Sequence, residues 1–323
     1  MKAIVQDGYG APSDVLELRD VDMPTVDDDR VLVAVKAASI NPLDWHLIRG
    51  TPYLVRMQAG LRNPKRTTPG ADVAGVVEAV GDSVTRFQPG DEVFGEGYGT
   101  CCEYVSISEK GLSLKPQNVT FEQAAAVPIA AQTALQGLRD KGQVQPGQHV
   151  LVNGASGGVG TFACQIARSL GAQVTGVCST RNVDLVRSIG ADNVIDYTSQ
   201  NYTAGTDRYD VILDTVGSES LAANKRALTP NGRYVSVGAE MGNWVGPLTH
   251  ISRVLTASVG GDQKFAPMLA TLSSEDLGTL RDMIETGDVT PVIDRTYPLS
   301  AVPEAIQYVE RGHTRGKVVI QIS

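Results

Sequence analysis

The segment Val152-Asn153-Gly154-Ala155-Ser156-Gly157-Gly158-Val159-Gly160 limits what this chain can fold into more than any other. It follows an apolar run, His149-Val150-Leu151-Val152, and opens a stretch with helical apolar spacing over 158–170 that stops at Gly171. A glycine-rich turn between a buried strand and a helix lets the backbone bend sharply and approach a bound group closely. The helix start then offers free N–H groups and the positive end of its dipole to an anion. The spacing is G-x-x-G-x-x-G, with Ser156 where the usual dinucleotide fingerprint has its second glycine. A plain strand-to-helix turn has the same local grammar, so the flanking sequence has to decide.

It does so by alternation. Strands are expected at 173–178, 193–196, 209–214 and 232–237, and helices at 183–189 and about 218–228, with Gly190 as a stop. Short apolar strands alternating with helices imply parallel βαβ units covered on both faces, hence an α/β, doubly wound parallel sheet. Ligands bind such sheets beyond the carboxyl ends of the strands. Asp214-Thr215-Val216-Gly217 and Val237-Gly238-Ala239 end strands there, as ligand contacts or as ordinary tight turns. Tyr197, after the third strand, either meets an adenosine or fills the surface.

The end of the second strand bears on which dinucleotide is bound. NAD-binding units usually carry a carboxylate about 20 residues beyond the glycines, where it accepts from the ribose. Here the chain reads Cys178-Ser179-Thr180-Arg181-Asn182, with no carboxylate. Ser179 and Arg181 can donate to a 2′-phosphate, Arg181 with a charge-assisted bond. Arg181 also suits a solvated helix start. The expected cofactor is NADPH.

The first third reads differently. Runs at 30–38, 73–80 and 91–94 are broken by Gly81-Asp82 and Pro89-Gly90, which suggests a barrel-like β body. Residues 50–69 carry four basic residues with no clear period and read as a long functional loop. A helix is expected over 121–138, capped by Asn118 or Thr120, another over 274–286 capped by Ser274, and a third over 302–311. The alternating run 317–322 is expected to pair with the N-terminal β body.

Bulk properties exclude several function classes. A net charge of −8 argues against a nucleic-acid partner, which needs clustered Lys and Arg. No apolar run approaches the roughly 20 residues of a spanning helix, so no membrane insertion is expected. Met1-Lys2-Ala3-Ile4-Val5-Gln6-Asp7 turns polar too soon for a signal peptide, giving a cytoplasmic expectation. The four cysteines (Cys101, Cys102, Cys164, Cys178) include no C-x-x-C, and the four histidines show no metal-ligand spacing. Reduced, packed thiols and no metal are expected.

With these pieces assembled, the chain resembles the medium-chain dehydrogenase/reductase superfamily, in its zinc-free, quinone-oxidoreductase-like (zeta-crystallin-like) branch. The resemblance rests on Ala38-Ser39-Ile40-Asn41-Pro42-Leu43-Asp44, Pro69-Gly70-Ala71-Asp72-Val73-Ala74-Gly75, Gly90-Asp91-Glu92-Val93-Phe94-Gly95, Gln132-Thr133-Ala134-Leu135, the glycine loop, Gly190-Ala191-Asp192, Ile195-Asp196-Tyr197 and Gly316-Lys317-Val318-Val319-Ile320. It implies a GroES-like β-barrel catalytic domain over 1–122, with 262–323 returning to it, a Rossmann domain over 123–261, and an active cleft between them. It also implies a homodimer.

By that resemblance Asn41 and Thr133 sit beside the nicotinamide, and Ser156, Gly157, Gly158 and Val159 hold the pyrophosphate. Gly238 and Ala239 flank the ribose, and the Met268-Leu269-Ala270 loop with Lys317 closes the far side. Zinc members have Cys where Asn41 stands and Gly-His-Glu where this chain has Gly70-Ala71-Asp72. Without those ligands there is no Lewis acid to acidify an alcohol. Reduction of an electrophilic acceptor, a quinone or α,β-unsaturated carbonyl, gains favour. Tyr53 or His46 either donates to the developing oxyanion or packs.

Two other readings compete. A short-chain reductase needs Y-x-x-x-K, and none of the ten tyrosines has Lys at that spacing. An NADPH-binding redox sensor or structural protein with little turnover stays open, and turnover of an acceptor panel separates it from an enzyme.

Overall fold

The alternating runs of the middle third form a six-stranded sheet in which every pairing is parallel. His149–Asn153 lies inside it, with Gln173–Cys178 and then Asn193–Asp196 to one side. On the other side follow Tyr209–Asp214, Leu228–Ser236 and Lys264–Pro267. In sequence order that is 3-2-1-4-5-6, and the order reverses between His149–Asn153 and Tyr209–Asp214. The helix Gly158–Ser169 turns Phe162, Ala163, Ile166 and Ala167 inward, all fully buried. Each large apolar side chain of this kind contributes about 1.5–3 kcal/mol by leaving water.

The computed structural model describes residues 1–237, 246–258 and 261–322. The chain divides into two units: Met1–Gln132 with Leu272–Gly287 and Pro291–Ser323, and Thr133–Thr271 with Asp288–Thr290.

The first unit is built around Arg30–Ile40. This long strand pairs antiparallel with Asp72–Val80, Tyr104–Ser108 and Lys317–Gln321. The closing strand does reach the N-terminal body, with Val318 opposite Ile40 and Ile320 opposite Ala38. It is less alternating than expected: four successive residues from Lys317 to Ile320 are buried, a lysine among them.

Several local expectations shift. The helix expected over 121–138 is three pieces, Phe121–Ala125, Pro128–Gln136 and a π-helical turn Gly137–Lys141. Pro128 lacks the N–H that a continuous ladder would need, so the break falls there. Thr120, not Asn118, caps the first piece, in a reciprocal box with Gln123. Ser273 rather than Ser274 caps Ser274–Glu285, its hydroxyl accepting from the Asp276 amide at 3.1 Å. The 50–69 segment carries a 3₁₀ turn, Tyr53–Val55, and a short helix, Arg56–Ala59. Among the described residues no helix is long and apolar enough to cross a membrane.

Candidate active site

The glycine turn takes the form its sequence requires. Gly154 has φ +84°, and a Cβ there would lie 2.3 Å from the Thr215 hydroxyl. Gly160 lets the helix close onto the strand end, since a Cβ would fall 2.1 Å from the Gly154 carbonyl oxygen. Gly157 is the extended residue before the helix, and a Cβ there would meet only the Gly154 oxygen, at 3.4 Å. Gly158, Val159 and Gly160 thus form the first turn, whose amides have no intrahelical acceptor. Gly157, Gly158 and Val159 are half-buried. A turn of this geometry can take up an anion.

Beside it, Asn182 gathers the serines that the sequence singled out. Its Nδ2 donates to Ser156 Oγ at 2.9 Å and to Ser179 Oγ at 3.2 Å. Ser156 and Asn182 are buried and Ser179 is half-buried, while Arg181 next to them is exposed. Tyr197 is exposed at the end of the neighbouring strand, and its amide donates to the Cys178 carbonyl. Thr180 and Thr198 donate to the Asp196 carboxylate, which holds it below the usual carboxylate range. At the point where the strand order reverses, the buried Asp214 carboxylate accepts from Asn153 Nδ2 at 2.8 Å and from Tyr234 OH at 2.7 Å. It also takes the amides of Val216 and Gly217 at 3.0 and 2.8 Å. The Val216 side chain remains half-exposed beyond that turn.

In the first unit, residues of three strands and a helix start form a buried polar cluster. Lys317 Nζ donates to Asn41 Oδ1 at 2.6 Å and to Asp72 Oδ2 at 3.1 Å. Asp72 Oδ2 also accepts from Asn41 Nδ2 at 2.9 Å and Ser39 Oγ at 2.8 Å, and Oδ1 accepts from the Ile129 amide at 3.0 Å. Lys317, Asn41, Ser39 and Asp72 are each no more than 3% exposed, so no water screens the ion pair. Asp44 caps the helix Pro42–Arg49 by accepting from the Asn41 amide at 2.7 Å. Burial, with Asp72 nearby, pushes its carboxyl up to about 7. Glu96 lies opposite Asp72 in the strand register and accepts from Gln132 Nε2 at 2.9 Å; burial and Asp72 raise it to about 7 as well.

The structure therefore brings Asn41 and Lys317 into direct contact, and Ser156 and Ser179 onto one amide. Thr133 is buried on the helix Pro128–Gln136, one residue beyond Gln132, and Leu269 is largely exposed. His46 lies on Pro42–Arg49, stacked on Trp45, with Nδ1 2.8 Å from the Thr51 carbonyl oxygen. That contact makes Nδ1 the donor and leaves Nε2 an acceptor in the neutral ring, and burial lowers the His46 pKa. Tyr53 is more than a third exposed, with the Arg56 guanidinium 4.9 Å from its ring centre. Gly238 and Ala239 lie outside the described residues.

Sequence reasoning gave no role to Ser39, Asp44, Asp72 or Asn182, and of Asp214 it said only that its turn is a ligand contact or an ordinary tight turn. Asp72 stood in a quoted motif, where an acidic residue between apolar neighbours in a strand (Ala71-Asp72-Val73) signals a buried, partnered charge. Asn182 carried no comparable signal. All four cysteines are buried free thiols, and burial pushes Cys102 and Cys164 up to about 12 and Cys178 to about 11. Such burial disfavours the thiolate form that a nucleophile needs.

Comparison with known proteins matches residues 27–131 to the alcohol dehydrogenase GroES-like domain and residues 189–320 to the zinc-binding dehydrogenase family. The chain is 36% identical to 2-methylene-furan-3-one reductase of Solanum lycopersicum, over 99% of this chain and 79% of that protein. It is 35% identical to the chloroplastic NADPH-dependent alkenal/one oxidoreductase of Arabidopsis thaliana, with the same coverage. Among solved structures, the quinone oxidoreductase from Coxiella burnetii superposes with a TM-score of 0.88 at 29% identity, covering 100% of this chain and 99% of that one.

Proposed function

The chain belongs to the quinone-oxidoreductase branch of the medium-chain dehydrogenase/reductase superfamily, and on that footing we propose that it is an NADPH-dependent reductase of quinones or α,β-unsaturated carbonyls. The observation that carries this is the turn from His149–Asn153 to Gly158–Ser169 in a parallel sheet of order 3-2-1-4-5-6. Its residues fit a dinucleotide: Gly154 and Gly160 permit the tight turn, Gly157 leaves the approach open, and the first-turn amides have no intrahelical acceptor and can take an anion. The buried Asn182 Oδ1 has no partner among the described residues and suits a donor such as a ligand hydroxyl. When bound, NADPH supplies the hydride.

The protein's own groups bind and orient. Ser156, Gly157, Gly158 and Val159 hold the pyrophosphate, and Ser179 and Arg181 the 2′-phosphate. Tyr197 and Val216 line the nucleotide on either side, and Gly238, Ala239 and Leu269 belong to the same proposal. Asn41 and Thr133 position the nicotinamide, with Lys317 held on Asn41 from behind. In the neutral tautomer that the Thr51 contact requires, His46 presents an acceptor, so donation to a developing oxyanion falls to the Tyr53 hydroxyl.

The reaction is proposed to be zinc-independent. The positions that supply thiolate and imidazole ligands in zinc relatives hold Asn41 and Ala71, and the Lys317 ammonium already neutralises Asp72. An acceptor that is electrophilic by itself suits such a site. A homodimer is proposed through Lys264–Pro267, an edge strand whose outer side pairs with no strand among the described residues. A cytosolic setting is proposed too, in keeping with four buried free thiols. The test is NADPH oxidation with a panel of quinones and enones. Turnover that survives exhaustive chelation supports the proposal, and tight NADPH binding without turnover of any acceptor refutes it.

A further inference from the structure

The carboxamide of Asn182 occupies an unusual place between the two phosphate-facing serines. Its two N–H groups are divided, one to Ser156 Oγ at 2.9 Å and one to Ser179 Oγ at 3.2 Å. A serine hydroxyl has one proton and two lone pairs. Once each oxygen accepts from Asn182, its own proton has to find an acceptor elsewhere. Neither hydroxyl donates to an acceptor among the described residues, although nearby hydroxyls do: Thr180 to Asp196, and Thr161 to the Gly158 carbonyl. Asn182 is itself 4% exposed, so solvent does not compete for its N–H groups. Its Oδ1 is buried and unpartnered among the described residues. A buried acceptor without a donor costs stability unless a ligand satisfies it.

We propose that Asn182 is a positioning residue that fixes both serine hydroxyls as donors, Ser156 toward the pyrophosphate and Ser179 toward the 2′-phosphate of NADPH, and leaves its own oxygen for a ribose hydroxyl. The amide ties the two phosphate subsites together through one rigid group. It also resolves a chemical conflict at this strand end. A carboxylate here would accept from the ribose but repel a 2′-phosphate, whereas an amide oxygen accepts without the charge. The inference rests on the NADPH reading of the glycine turn.

The experiment measures dissociation constants for NADPH and NADH, by nicotinamide fluorescence, on the full chain and on variants checked for an unchanged melting temperature. The near-isosteric Asn182→Asp accepts from both hydroxyls, turns their protons inward and adds a charge. It is expected to weaken NADPH about 100-fold and NADH about tenfold. Asn182→Ala is expected to weaken NADPH about tenfold in the native background, but only about threefold, the share of its own contact with the ribose, when Ser156→Ala and Ser179→Ala are already present. A merely structural role would give the same loss in both backgrounds. NADPH affinity retained in Asn182→Asp would overturn the inference, because the serines would then donate to residue 182. So would a loss from Asn182→Ala that persists undiminished without the serines. Absence of NADPH binding by the native chain would instead overturn the parent reading.

Discussion

Replacing Lys317 by Met tests whether the buried cluster in the first unit is held by charge. The ammonium lies 3.1 Å from Asp72 Oδ2, with both side chains at most 3% exposed. At that separation, with an effective dielectric constant near 20, the attraction is about 5 kcal/mol. Part of it is offset by the cost of keeping an ammonium out of water. Three neutral donors stay on the carboxylate after the change: the Ser39 hydroxyl, the Asn41 amide and the Ile129 N–H. The net loss is therefore set at the lower end for broken buried pairs, about 3 kcal/mol. For a unit of this size that lowers the melting temperature by roughly 6–12 °C. Calorimetry on the native chain, Lys317→Met, Asp72→Asn and the double variant closes the cycle. The double variant carries no orphaned charge, so it should recover about 2 kcal/mol relative to the sum of the single losses. A Lys317→Met loss below about 1 kcal/mol, or strict additivity, would refute the argument.

Other expectations follow from the same structure. Arg181→Ala should weaken NADPH by about tenfold or more and leave NADH nearly unchanged in a binding titration, because a charge-assisted bond to a phosphate is at stake; equal losses would remove the specificity argument. Gly160→Ala should destabilise the chain by about 1–3 kcal/mol in thermal unfolding, since its Cβ would meet backbone atoms that cannot move aside. Gly157→Ala should leave stability nearly intact and abolish tight nucleotide binding, because its Cβ meets only ordinary contact within the protein. Asp44→Asn should gain stability relative to the native chain as pH rises. The Asp44 carboxyl is raised to about 7 in the fold, so the stability tied to its protonation is full below about pH 4 and is lost as pH climbs through 7. The difference between the two chains should grow by at most about 2–3 kcal/mol from pH 5 to 8; a flat difference would refute the assignment.

Backbone was far more legible in the sequence than side-chain partnership. The strands Gln173–Cys178, Asn193–Asp196 and Tyr209–Asp214 are read to the residue because Gly, Asp and Tyr bound short apolar runs. The glycine turn is legible for a related reason: only glycine tolerates both the positive φ at Gly154 and the close approach at Gly160. The Asn41–Asp72–Lys317 cluster is different in kind. Its members are separated by up to 276 residues, and what joins them is strand register rather than spacing. Alternation predicts an outward Lys317, yet the cluster gives its ammonium two acceptors inside. Asn182 was hidden for the opposite reason, since a polar residue at a helix start has ordinary uses and nothing local marks it as bridging two serines.

Of the three glycine-bearing turns that the sequence places at strand ends, two lie wholly among the described residues, and their hydrogen bonds separate them. At Asp214-Thr215-Val216-Gly217, the Val216 and Gly217 amides are already spent on the Asp214 carboxylate. An anion arriving there would find no free N–H from that pair, and a negative charge behind it. At Asn153–Gly160, the amide of Gly157 is spent on the Gly154 carbonyl, but those of the first helical turn are left over by the geometry of the helix. Two serine hydroxyls with protons to donate lie beside them. Asp214 thus works on the fold rather than the ligand. Its four neutral donors need no cation, unlike Asp72 with Lys317, and they hold the second turn against Asn153 so that the first turn keeps its shape. On the proposed reading, Asp214→Asn is a change in the rigidity of the turn, whereas changes at Ser156 and Gly157 act on the bound nucleotide.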